Sequence, residues 1–165
     1  MSAMSIRSRR GQLGMIRSAV AAEAAALTHG RKDVGAVVTF TGICRGDEAG
    51  APLVAMTLEH YPDMAEAEIA RHVEEAAQRW PLLGVTVIHR YGRLTPGEEI
   101  VLVATASSHR QAAFAAAEFL MDYLKTRAPF WKQVEQAGEK SWVAAKDADD
   151  AAAARWGKPD REAAE

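Results

Sequence analysis

The stretch EEIVLVATA, residues 98–106, decides how the chain is read. After two glutamates its apolar side chains fill both parities, Ile100, Leu102 and Ala104 on one and Val101 and Val103 on the other. A strand with one wet face alternates, so one that is apolar on both parities is central and covered on both sides. Upstream, Val85 to Arg90 is the neighbouring strand, separated by a connection containing Gly92, Pro96 and Gly97. Downstream, Ser107-Ser108 can cap a helix from His109 to Thr126, whose stripe is Ala113, Ala117, Leu120 and Leu124. Pro129 breaks it.

Further out, GAVVTFT at 35–41 is β-branched and extended, and residues 42–50 are glycine-rich loop chemistry. Leu53 to Tyr61 resumes extended character, so these two strands are expected to be joined by a long, mobile loop that starts near Arg45. Pro62-Asp63 opens a helix with Asp63 as N-cap, and Ile69, Val73, Ala76 and Trp80 share one face before Pro81 ends it. Met15 to Leu27 is a short alanine-rich amphipathic helix stopped by Gly30. Phe130 to Glu135 and Lys140 to Val143 form a hairpin around Gly138. Residues 1–14 and 157–165 are expected to be flexible, and the chain after Ala144 to fray. This order predicts one α+β domain over residues 1–165, a mixed or antiparallel sheet with flanking helices.

Composition narrows the function. The 165 residues are 48% apolar and 25% charged, enough for a real core, which excludes disorder throughout. Twenty basic residues against 22 acidic ones do not make a nucleic-acid coat. No stretch approaches the ~20 apolar residues that cross a bilayer, and the arginine-bearing first residues lack a signal peptide's apolar run. A single cysteine, Cys44, excludes an intrachain disulfide and a cysteine-rich zinc site, and a reducing, cytoplasmic setting follows. HExxH, CxxC, Walker and GxGxxG patterns are absent from the sequence, so no metal and no intrinsic cofactor is expected.

Cationic or imidazole side chains stand beside turns and helix ends at three places: Arg45, His109-Arg110, and Lys125 with Lys132. Cations at a helix start oppose its dipole, so His109-Arg110 suits an anion bound at free N–H groups. Lys125 closes a helix, where a lysine is expected for the dipole alone. Lys132 follows Phe130-Trp131, an apolar surround in which an ammonium can become an acid–base group, although a surface ion pair is the plainer reading. His89 shares parity with Val85 and Val87 and reads as a buried, satisfied imidazole, Arg90 as packing or interface, His29 and His72 as solvent residues, and the four tryptophans as packing or interface. Cys44 lies beside Arg45, which can lower a thiol pKa, but it has no second sulfur or base. From residues alone an enzyme, an adaptor for a partner protein and an anion sensor all remain open.

Together GAVVTFTGICR (35–45), LEHYPDMA (58–65), VTVIHRYGRLTPGEEIV (85–101), SSHRQAAF (107–114) and YLKTRAPFWK (123–132) resemble the large, catalytic subunits of molybdopterin synthase, the MoaE family. The resemblance implies an α/β hammerhead-type fold and a sulfurtransferase: a central homodimer with a small ubiquitin-like sulfur-carrier subunit at each end. Two sulfurs pass from the carrier's C-terminal thiocarboxylate to cyclic pyranopterin monophosphate, giving the dithiolene of molybdopterin. Lys125 and Lys132 match the family's catalytic pocket lysines, and Arg45, His109 and Arg110 its anion-binding positions. Ile43 and Cys44 beside Arg45, and Gln133 and Val134 after Lys132, belong to the same binding region. The family pattern has a basic and then an acidic residue after the second lysine, whereas here Gln133 and Val134 precede Glu135.

Overall fold

The computed structural model describes residues 3–10, 15–127, 129–143 and 147–157. Strand β1 (Ala3–Arg10) is followed by helix α1 (Met15–Thr28), strand β2 (Ala36–Ile43) and a two-residue hairpin of β3 (Asp47–Glu48) and β4 (Ala51–Pro52). Next come β5 (Ala55–His60), helix α2 (Pro62–Arg79), β6 (Leu82–Leu94), β7 (Glu99–Ser107) and helix α3 (Arg110–Thr126). Strands β8 (Phe130–Gln136) and β9 (Glu139–Val143) and helix α4 (Asp147–Ala154) complete the order. The main sheet runs β2-β7-β6-β5-β8-β9 with antiparallel neighbours, and β1 adds to β6 in parallel, so the α+β expectation holds.

Strand β7 lies between β2 and β6, and all of it except Ile100 is buried. Its two parities meet different layers. Val101 and Val103 join Val85 and Val87 under α2 and α3, against Ile69, Val73, Phe119 and Leu120. On the other face Ile16 of α1 packs on Ile88 and Leu102, and Leu27 on Ala104 and Ala106. The fully buried Thr105 hydroxyl donates to the Ala113 carbonyl of α3 at 2.7 Å, which satisfies a polar group held among apolar neighbours. No helix among the described residues is long and apolar enough to cross a membrane.

Several expectations are corrected. Strand β2 bonds to β7, and β5 to β6 and β8. Between β2 and β5 the expected long loop is a tight hairpin, turned by Ala49 and Gly50 at φ 52 and 80 and fastened by Gln136, whose Nε2 donates to the carbonyls of Glu48 (2.8 Å) and Ala51 (2.9 Å). Tyr61, not Asp63, is the N-cap of α2; Pro62 occupies the first turn because its missing N–H has no intrahelical partner there, and Asp63 complements the dipole. His109 itself is the N-cap of α3. His72 is buried, its Nδ1 2.7 Å from the Glu68 carbonyl and its ring 4.3 Å from that of Tyr123.

The ends also hold more structure than their composition suggests. Residues 3–10 pair with β6, which the sequence AMSIRSRR, with arginines at 7, 9 and 10, does not announce. Helix α4 replaces the expected fraying over 147–154. It is anchored at its end, where Trp156 meets the rings of Trp80 and Phe119 edge-on and its Nε1 donates to Asp122 at 2.7 Å. Residues 11–14 and 158–165, also expected to be flexible, lie outside the described residues.

Two predictions follow from this packing. Gly35 donates its N–H to the Ser107 carbonyl, and a Cβ on Gly35 would collide with the Ser108 carbonyl oxygen. Gly35→Ala is expected to displace the start of α3 and to cost about 1–3 kcal/mol in denaturant unfolding; an unchanged midpoint would contradict the close approach. His89 is 7% exposed, stacks on Phe130 at 3.9 Å and donates from Nδ1 to the Arg90 carbonyl, and burial lowers its pKa to about 4. Between that value and the unfolded ~6.5 only the unfolded chain is protonated at this ring, so stability should fall as the pH drops through this window and level off below it. His89→Leu should flatten that part of the stability–pH curve; an identical slope in the variant would exclude the ring as its source.

Candidate functional site

The site starts where β2 ends. A bulge between Gly42 and Ile43 turns the strand, after which the Cys44 N–H donates to the Glu98 carbonyl and the Gly97 N–H to the Cys44 carbonyl, both at 2.8 Å. Behind this lock lies Arg90, 1% exposed, donating to the Glu99 carbonyl at 2.7 Å and to the Glu98 carboxylate at 3.0 Å. The Thr95 N–H, more than Arg90, holds the Glu98 carboxyl below the usual carboxylate range. Arg90 is therefore architecture: it fixes the 97–98 turn to which residues 44 and 45 are tied.

From that fixed point Arg45 reaches Glu48. One carboxylate oxygen, Oε2 of Glu48, accepts Lys132 Nζ at 2.9 Å and lies 3.7 Å from the Arg45 guanidinium. Lys132 arrives from β8, opposite Leu58 of β5. The half-buried lysine and the exposed arginine, 87 residues apart in the chain, thus share a buried acid. Cys44 is buried in the cluster of Leu53, Met56, Leu58, Leu94 and Val134. Burial pushes its thiol up, and the cation pulling the other way is Lys132 rather than the adjacent Arg45.

The neighbours of these cations divide by strand alternation. Ile43 is exposed, while Val134 is 3% exposed and belongs to the core beneath the site. Gln133 and Glu135 face the opposite side of β8 from Lys132, and Glu135 lies 3.6 Å from Arg93. Glu135 is not the carboxylate at Lys132; Glu48 fills that place, from the hairpin of β3 and β4.

His109 and Arg110 are exposed at the start of α3, whose first turn carries no acidic residue. A helix start with an exposed guanidinium and imidazole and no acidic residue in its first turn is the kind of end at which an anion can be held. Lys125 is in the last turn, 3.4 Å from Asp149 of α4. A helix rises ~1.5 Å per residue, so Arg110 and Lys125 stand about 22 Å apart along its axis. One copy of the chain thus gathers Arg45 with Lys132 on Glu48 but keeps His109-Arg110 away from Lys125. Among the described residues no group of three His, Cys, Asp or Glu is placed to hold a metal.

These positions can be set beside known proteins. The MoaE protein family model matches residues 16–127, which include Arg45, His109, Arg110 and Lys125. The chain belongs to the MoaE family. A molybdopterin synthase catalytic subunit of Mesorhizobium japonicum is 66% identical over 139 residues, 83% of this chain and 86% of that one. The molybdopterin biosynthesis MoaE protein of Burkholderia ambifaria superposes with a TM-score of 0.73 at 43% identity, covering 95% of this chain and 99% of that one. A solved complex of subunits 1 and 2 of the Helicobacter pylori molybdopterin-converting factor shares the fold at 19% identity, with a TM-score of 0.64 over 85% of this chain and 89% of that one. Membership in this family accounts for the α+β fold.

Proposed function

We propose that the chain is the catalytic subunit of a molybdopterin synthase and transfers sulfur from the C-terminal thiocarboxylate of a small ubiquitin-like carrier to cyclic pyranopterin monophosphate. The observation that carries this reading is the 66% identity to a molybdopterin synthase catalytic subunit over 83% of the chain. The cations support it, because a cyclic phosphate and a thiocarboxylate are both anions. In each of two rounds the carrier's acyl–sulfur bond breaks. Each sulfur bonds to a side-chain carbon of the pterin as a carbon–oxygen bond at that carbon breaks, its oxygen departing on the phosphate or as water; a further water supplies the oxygen with which the carrier leaves as a carboxylate, and two rounds complete the dithiolene. The sulfur comes from the carrier, so this chemistry calls on no intrinsic cofactor, and a reducing cytoplasm is the setting in which a thiocarboxylate persists.

In this reading Arg45, His109 and Arg110 hold the phosphate and pterin through charge-assisted hydrogen bonds. Lys125 stands at the reacting carbon, and Lys132 supports it by charge and proton transfer. The length of α3 adds a condition. A cavity that uses both of its ends needs a second copy to bring His109 and Arg110 to the Lys125 of its partner, as a two-fold dimer does.

The test is a reconstituted assay with thiocarboxylated carrier and pterin precursor. Lys125→Ala should lower dithiolene formation by ~10²- to 10⁴-fold with carrier binding retained, and normal turnover would remove the lysine from the mechanism. Arg110→Ala should weaken substrate binding more than it slows chemistry; an unchanged substrate affinity would count against its role. Mixing the two variants should restore part of the activity, because a mixed dimer rebuilds one site with both wild-type residues. No recovery on mixing would mean that each copy works alone. An adaptor without activity would bind the carrier and form no dithiolene.

A further inference from the structure

We propose that Glu48 is a positioning residue for sulfur transfer: a single buried carboxylate that bridges Lys132 and Arg45 and sets where both cations meet the incoming anion. The inference rests on the function proposed above. Glu48 is 7% exposed, and a carboxylate is held out of water only where cations and hydrogen bonds compensate it. Here the compensation comes from the site itself, with Lys132 Nζ at 2.9 Å and Arg45 at 3.7 Å from the same Oε2.

A lysine on four methylenes is otherwise free to swing, so this bond decides where its charge sits. The carboxylate is held in turn. Gln136 grips the hairpin at the carbonyls of Glu48 and Ala51, and it lies on the same side of β8 as Lys132 by strand alternation. One strand thus carries both the lysine and the clamp that keeps its acid in place.

Charge makes the arrangement distinguishable from plain structure. Glu48 offsets positive charge in a pocket that receives anions, so it weakens substrate binding while orienting the groups that react; catalysis gains only from the second effect. Glu48→Gln keeps the shape and an acceptor for Lys132 but removes the charge. In the reconstituted assay it should lower the KM for the pterin several-fold and lower kcat on the order of 10- to 100-fold. Loss of structure alone would instead raise KM and reduce the melting temperature. Glu48→Asp, one methylene shorter with its charge intact, should return KM toward wild type and recover part of kcat. Gln136→Ala, which frees the hairpin without touching a charge, should lower kcat with KM little changed, and it serves where the Glu48 variants fold poorly.

Glu48→Gln with kcat and KM both within twofold of wild type overturns the proposal. So does a rise in kcat as KM falls, which would make Glu48 an internal competitor of the substrate, and so does wild-type kcat in Gln136→Ala. A wild-type protein that forms no dithiolene would overturn the function itself, a result separate from any of these.

Discussion

A strand buried on both faces leaves its backbone no water to bond, and the rest of the molecule is arranged around that constraint in β7. Every N–H and C=O along it must find a protein partner, and β2 and β6 supply ladders on its two sides. Its buried hydroxyls are met as well, Thr105 by the Ala113 carbonyl and Ser107 by the Pro81 carbonyl at 2.9 Å. The second bond ties the end of β7 to the turn that leads into β6. The start of α3 is thereby fixed, and Phe119 and Leu120 lay the helix along Val101 and Val103. The directions in which His109, Arg110 and Lys125 leave the fold are consequences of packing two layers on one strand.

Exposure separates the ion pairs that build the fold from those that can serve a ligand. Arg90–Glu98, at 1% and 13% exposure, is internal, and removing one partner of such a pair strands a charge. Lys125–Asp149, at 56% and 28%, lies where an ion pair contributes about 0–1 kcal/mol, so Lys125 could exchange Asp149 for another anion at little cost. The two ends of α3 differ in the same sense. Lys125 sits where the helix dipole welcomes a cation, whereas His109 and Arg110 face the positive end with no acid in the first turn. That end is where the proposed function places an anion.

What was legible in the sequence was local. The two-parity apolar run at 98–106, the stripe of Ala113, Ala117, Leu120 and Leu124, the proline stops and the turn before Lys140 all depend on residues within a few positions of one another. What was not legible depends on distant chain. Glu48 in a glycine-rich stretch reads as a solvated loop acid, and its burial comes from a lysine 84 residues away. His72 looks polar on its helix until Tyr123 covers it. Helix α4 is alanine- and aspartate-rich and weak by itself, and what secures its end are Asp122, Trp80 and Phe119 from elsewhere. The five site residues could be named by family resemblance, but the pairing of Arg45 with Lys132 on Glu48 and the separation of His109 and Arg110 from Lys125 along α3 needed the chain to be folded.

That division bears on how such a site gains strength. An anion 4 Å from a cation gains about 1 kcal/mol in bulk water and ~4 kcal/mol at the effective dielectric near a protein surface, so recognition improves as water is excluded. Arg45, His109, Arg110 and Lys125 are all exposed in the single chain. Close to them in sequence are large apolar side chains that are also exposed: Phe40 and Ile43 on β2, and Phe114 one helical turn beyond Arg110. Strand β2, AVVTFTGI, is an edge of the sheet and carries neither charge nor proline to discourage pairing. Covering apolar surface of this kind contributes roughly 25 cal/mol per Å², and the covering chain also strips water from the neighbouring cations. These exposed apolar side chains are surface that the assembly in the proposed function would cover, and charges beside them would act more strongly once water is excluded.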